Sequence, residues 1–176
     1  MRLTGLIRGS VTGIGAAAVL LLSSGVAQAE PAAELTHCVI NISDTVSFSR
    51  CYASEAAADR DLNLPYTLFR AWDGYNRTGK YSLRLKSSST CTAAYDNQRE
   101  KWPNLSLIPL GATRNWDNAI SSWETNYSCR VRFYYGYNYT GDYSQLSHTG
   151  VDCPDMRTCF GAGEDWNNRA GSFGLT

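Results

Sequence analysis

Trp72-Asp-Gly-Tyr-Asn-Arg-Thr-Gly79, continuing as Lys80-Tyr-Ser82, returns 62 positions later as Tyr134-Tyr-Gly-Tyr-Asn-Tyr-Thr-Gly141, continuing as Asp142-Tyr-Ser144. Gly74, Tyr75, Asn76, Thr78, Gly79, Tyr81 and Ser82 all recur, seven identities that mark an internal repeat. A second matched pair follows: Asn115-Trp-Asp-Asn-Ala-Ile-Ser-Ser122 and Asp165-Trp-Asn-Asn-Arg-Ala-Gly-Ser172, 50 positions apart. The first copy therefore carries 12 more residues between its motifs, placed by their polarity in Ser87 to Pro103. From Thr67 onward helical periodicity is absent, while aromatic and β-branched runs alternate with Gly and Asn at the gaps. That pattern predicts short antiparallel strands. Two copies are too few for a solenoid and suit two Greek-key halves packed as a sandwich.

On these residues the chain resembles the βγ-crystallin family. Its repeat pairs an aromatic–four residues–aromatic–any–Gly hairpin with a later N/D-N/D-x-x-S/T-S loop. Tyr134, Tyr139 and Gly141 fit the hairpin, whereas Arg77 stands where the first copy should have its second aromatic. Asp117 to Ser122 fits the loop throughout; Asn167 to Ser172 fits except for Gly171 at the S/T place. The resemblance implies an all-β fold of two Greek-key motifs over 67–176, with repeats at about 67–125 and 129–176. It is similar to exported proteins of actinomycete-type bacteria, in the branch that includes metalloprotease inhibitors and killer-toxin-like proteins. Trp72, Tyr134 and Tyr139 read as packing over the folded turns, and Trp116 and Trp166 as core anchors.

Asp117-Asn118 beside Ser121-Ser122 gathers oxygens at the short spacing a hard cation needs. The same side chains can instead bond backbone groups in a turn. The resemblance implies calcium, held by the Ala119 carbonyl, the Ser121 hydroxyl and an oxygen at the hairpin place after the first aromatic. That hairpin place is Asp73 in one copy and Tyr135 in the other. In the second copy Arg169 takes the place of Ala119, Gly171 has no hydroxyl, and Tyr135 offers only its carbonyl. One good site and one weak or empty site are expected, and which hairpin completes which loop stays open.

The start of the chain is different. Arg2 and Arg8 precede the apolar run Ile14 to Leu22 and then Ala27-Gln28-Ala29, the layout of a secretory signal peptide over 1–29. The run is short for a membrane span, which needs about 20 residues. Export to an extracellular location is the expectation, with a retained anchor as its alternative. The remaining residues hold 14 basic against 16 acidic side chains, a net −2 without a basic footprint for nucleic acid. All six cysteines, Cys38, Cys51, Cys91, Cys129, Cys153 and Cys159, lie in this exported part and imply three disulfides. Fifteen pairings are possible. Local pairing of Cys38 with Cys51 and Cys153 with Cys159, leaving Cys91 with Cys129, is favoured. Zinc has no support from spacing, since no C-x-x-C occurs and His37 and His148 are the sole histidines.

Residues 30–66 read as an extension of a hairpin, Cys38 to Ile42 with Val46 to Tyr52, and a short helix Glu55 to Asp59 capped by Ser54. They are too few for a core of their own. No catalytic motif surrounds either histidine, and the pairs Asp152 with Asp155 and Glu164 with Asp165 read as solvated surface acids. The expectation is a monomeric, non-enzymatic calcium-binding module with no membrane or nucleic-acid partner. The alternative is an inhibitor of an extracellular metalloprotease acting through Ser87 to Pro103 or Thr149 to Gly161. Further alternatives are a killer-toxin-like protein and a sugar-binding module using Tyr135 and Tyr137.

Overall fold

Every side chain from Ser82 to Ser87 is buried, which a strand achieves only when both of its faces are covered. Leu83 and Leu85 enter the core, while Ser82, Arg84 and Lys86 alternate to the opposite face. How the chain covers both faces is the key to its architecture. The computed structural model describes residues 34–42, 47–61, 64–91, 100–147, 152–161 and 163–176. The expected signal peptide lies outside them.

Among the described residues there are eleven strands, one α-helix and three single-turn 3-10 segments. The strands are β1 (His37–Ile42), β2 (Ser47–Tyr52), β3 (Tyr66–Trp72), β4 (Ser82–Ser87), β5 (Glu100–Trp102), β6 (Pro109–Leu110), β7 (Arg114–Asn115), β8 (Ser122–Thr125), β9 (Val131–Tyr134), β10 (Asp152–Cys153) and β11 (Ser172–Leu175). Helix α1 is Glu55–Asp59, with the Ser54 side chain accepting from the Ala57 N–H as an N-cap. The first sheet runs β10-β8-β3-β4-β1-β2, the second β5-β11-β9, and β6 and β7 form a small ribbon.

The two repeats exchange a strand. β5 belongs by sequence to the first repeat but pairs with β11 of the second, Phe173 opposite Trp102. β10 belongs to the second and pairs with β8 of the first, Cys153 opposite Trp123. Inward residues of both sheets meet in one aromatic core, with Phe69 and Phe173 ring centroids 4.7 Å apart and Trp123 and Phe133 6.0 Å apart. Trp116 (0% exposed) and Trp166 (7%) are buried, as the sequence reading expects of anchors.

The N-terminal segment is integral to this sandwich rather than appended to it. β1 lies parallel to β4, Cys38 opposite Leu83, and β2 pairs antiparallel to β1 at the sheet edge. Cys38, Ile40 and Ile42 join the same core cluster as the repeats. Helix α1 then supplies partners for the far face of β4. The Arg84 guanidinium, 1% exposed, donates to Asp59 (2.7 Å), Glu55 (2.6 Å) and Ser82 (2.7 Å), and Lys86 donates to the Asp61 carbonyl. A buried cation is tolerated because each bond is charge-assisted or closes a lone pair.

The disulfides are Cys38–Cys51, Cys91–Cys129 and Cys153–Cys159. This is the pairing favoured above. Cys38 and Cys51 face one another across the β1–β2 ladder.

Candidate functional site

Each repeat folds its hairpin over in the same way. Asn76 and Arg77 in the first, Asn138 and Tyr139 in the second, all adopt positive φ between 52° and 62°. Gly79 (φ 117°) and Gly141 (φ 76°) follow them. A Cβ on Gly79 would lie 2.2 Å from the Asp73 carboxylate, so the turn closes only with glycine there. Thr78 and Thr140 donate to the Tyr75 and Tyr137 carbonyls at 2.6 and 2.7 Å.

The final serine of each loop locks the fold-over. Ser122 donates to the Gly74 carbonyl and accepts from the Arg77 N–H; Ser172 does the same with Gly136 and Tyr139. The place after Asn76 and Asn138 also reaches the exchanged strand. Tyr139 packs on Tyr134 (5.6 Å) and under Lys101 of β5 (5.0 Å), and burial beside Tyr134 pushes its hydroxyl up to about 12. Arg77 instead pairs with Asp152 of β10 (2.6 Å) and Glu124 (3.3 Å). The departure from the hairpin pattern is thus a substitution of ion pairs for an aromatic–cation contact.

The two polar loops lie side by side. The Asn118 N–H donates to the Ala170 carbonyl and the Asn168 N–H to the Ile120 carbonyl, both at 3.0 Å. Each loop also rests on its own hairpin: the Ser121 N–H donates to Trp72 O and the Gly171 N–H to Tyr134 O, both at 2.9 Å. The structure therefore seats the first loop against the hairpin of its own repeat and against the second loop. Ser121, 4% exposed, aims its hydroxyl at Asn168 Oδ1, 3.3 Å away.

Asp117 Oδ1 and Asn167 Oδ1 occupy the same place in the two loops, and both are buried without a hydrogen-bond partner. Buried oxygens of this kind normally find a donor or a cation. Among the described residues no three His, Cys, Asp or Glu side chains cluster, so a cation here would rest on carbonyl, hydroxyl and amide oxygens.

The residues singled out from sequence separate into two groups. Ala119 (1% exposed) and Ser121 are both buried in the first loop, Ser121 at its contact with Asn168. The Asp73 carboxylate turns into its own hairpin, where Oδ1 accepts from the Tyr81 N–H at 2.9 Å, leaving its carbonyl as the oxygen for another partner. In the second repeat a Cβ on Gly171 would lie 2.5 Å from the Tyr135 carbonyl, so the hairpin fills the space where the missing hydroxyl would stand. The Arg169 guanidinium donates to the Asp165 carbonyl at 2.9 Å and lies on the surface. Sequence reasoning missed Asn168 as the neighbour of Ser121, because it lies 47 positions away and only the loop-to-loop contact joins them.

Of the two candidate inhibitory loops, Cys153 to Gly161 is wound rather than extended. The Thr158 N–H donates to Asp155 O, Met156 is fully buried, and Arg157 forks onto Asp155 and stacks on Tyr75 at 4.3 Å. His148, residues 149–151 and residues 92–99 of the other loop lie outside the described residues. Among the described residues no helix is long and apolar enough to cross a membrane.

The sequence matches no protein-family model and no curated protein. The solved structures similar to the chain include two βγ-crystallin folds. One, from work on the evolution of the eye lens βγ-crystallin domain fold, shares 10% identity with a TM-score of 0.46, covering 65% of this chain and 90% of its own. The other, a βγ-crystallin from an archaeon, shares 20% identity with a TM-score of 0.41, covering 64% and 100%.

Proposed function

We propose that the chain is an exported, non-enzymatic module that binds one calcium ion weakly at the contact between its polar loops. The observation that carries this reading is the buried Ser121 hydroxyl, 3.3 Å from Asn168 Oδ1 where the two polar loops meet, with Asp117 Oδ1 and Asn167 Oδ1 as further buried loop oxygens without a hydrogen-bond partner. The Ala119 carbonyl, the Ser121 hydroxyl, the Asn168 amide oxygen and the Asp73 carbonyl would hold the ion. The second site would be empty, since Gly171 has no side-chain oxygen. Few charged ligands mean low affinity, in the range of about 10⁻⁴–10⁻³ M used by extracellular modules. Binding to the folded state alone adds about 1.4 kcal/mol at tenfold excess over Kd. Stability outside the cell is then the role of the ion, alongside the disulfides.

Calorimetric titration of the oxidised chain with calcium chloride tests this. One binding event is expected, weakened at least tenfold in Ser121→Ala and in Asn168→Ala. Heat that is identical in both variants, or absent in the parent, removes calcium from the account. Export is checked separately by N-terminal sequencing of the mature protein, which should begin at Glu30. The protease-inhibitor reading is the weaker one, because the wound Cys153–Cys159 loop does not present the extended strand a protease cleft takes.

A further inference from the structure

The second repeat carries an open cleft of about 440 Å³, within the range of small-ligand sites. Its rim holds two tyrosine rings left largely in water, Tyr135 at 57% and Tyr143 at 61% exposed. Their backbones are anchored. The Tyr135 N–H donates to the Asp142 carbonyl at 2.8 Å, and Tyr143 is bridged to Tyr134 while Arg132 lies 5.0 Å from its ring centroid. Trp166, 7% exposed, forms the inner wall. Asp142, Glu164, Asp165 and Arg169 complete the lining.

The polar groups are held in place yet keep bonding capacity. Asp165 accepts from the Asn167 N–H at 2.9 Å and Glu164 from the Gln145 N–H at 3.4 Å, one donor for carboxylates that can each accept about four. Arg169 commits Nη1 to the Asp165 carbonyl, which aims the rest of its planar fork. Three carboxylates to one guanidinium repel an anion. So much polarity in the lining is wrong for a fatty ligand. What matches is a ring with one apolar face and an edge of hydroxyls, so that stacking and hydrogen bonding are satisfied together. We propose that this cleft binds a pyranose oligosaccharide, neutral or amino-bearing but without acidic groups, stacked on Tyr143 and Tyr135 and hydrogen-bonded to Glu164, Asp142 and Arg169.

Tyr137 takes no part. Its hydroxyl donates to Asp117 Oδ2 at 2.8 Å at the loop contact, so the sugar surface is not the Tyr135–Tyr137 pair that adjacency in sequence suggests. The cleft and the calcium contact use different side chains and stand or fall separately.

The experiment titrates the oxidised chain, in EDTA so that calcium plays no part, with cellohexaose, chitohexaose, its deacetylated hexamer and oligogalacturonate, reading tryptophan emission and heat. Saturable binding of at least one of the first three is expected, with none for oligogalacturonate. Tyr143→Ala should weaken it about tenfold and Glu164→Gln several-fold. Glu164→Gln changes one surface atom and keeps the proposal testable should Tyr143→Ala fail to fold. No binding by the first three sugars, equal binding of oligogalacturonate, or affinity unchanged in Glu164→Gln overturns it.

Discussion

The Ser122 hydroxyl donates to the Gly74 carbonyl at 2.6 Å across 48 positions of sequence, and the contact is the latch of the first hairpin. Ser122 is fully buried and also accepts from the Arg77 N–H at 3.0 Å, while Arg77 itself is held at φ 60°. Ser172 repeats this on Gly136 and Tyr139. Removing one hydroxyl strands a carbonyl and an N–H at once. Ser122→Ala and Ser172→Ala should therefore each cost about 1–3 kcal/mol in urea unfolding. Exposed Ser88→Ala serves as a comparison for a serine outside the latch. A cost below about 0.5 kcal/mol would mean that the hairpin holds itself.

Arg84 makes a second, asymmetric prediction. Its two carboxylate partners are about half exposed (side chains of Glu55 50%, Asp59 44%), whereas its own side chain is 1% exposed. Neutralising both partners with Glu55→Gln and Asp59→Asn leaves a buried cation without counter-charge. The double variant should lose about 3–5 kcal/mol. Arg84→Met should lose less, because the released acids can hydrate. The reverse order in thermal melts would show that α1 is held by its apolar contacts instead.

Gly171→Ser restores the loop pattern on paper and should fail in practice. The new Cβ meets the Tyr135 carbonyl, backbone that cannot swing aside as a side-chain tip would. We expect a lower melting temperature and no additional calcium-binding event. A second event with unchanged stability would show that the hairpin yields.

Acid should weaken the join between β1 and the repeats. Desolvation holds the His37 imidazole below its ordinary 6.5, opposed by Glu55 and Asp59 and reinforced by Arg84, and His37 is hydrogen-bonded to Ser82 at 2.8 Å. A base whose folded value is lowered binds fewer protons folded than unfolded, so stability is fully present above about 6.5 and declines as pH falls below it. Between pH 7 and 5 the parent should lose stability, and His37→Asn should flatten that slope. Carboxylates held low, such as Glu34 beside Lys80 and Asp155 beside Arg157, titrate further down and act below this window.

The repeat and its loops are legible in the residues because both depend on local chemistry: a glycine where a turn crowds, a serine where a latch is needed. The Ser54 cap and the strands of the first hairpin are legible for the same reason. The strand exchange is not. β5 and β10 are three and two residues long, too short to carry any period, and their partners are chosen by the far sheet. The burial of Arg84 and Lys86 is not legible either, since alternation separates two faces without saying what covers the second. At the loops, the residue types point to oxygen ligands, but the inward turn of Asp73 and the filling of the Gly171 space follow from packing between segments that sequence alone does not join.

The exchange of β5 and β10 bears on where such a chain can come from. A single repeat on its own would fold with one sheet missing a strand and its own third strand left over. Two identical single-repeat chains related by a twofold axis would each donate what the other lacks. Joining them end to end makes that exchange intramolecular, and after a cut between Asn126 and Cys129 and reduction of the Cys91–Cys129 bond the halves should be soluble only as a pair.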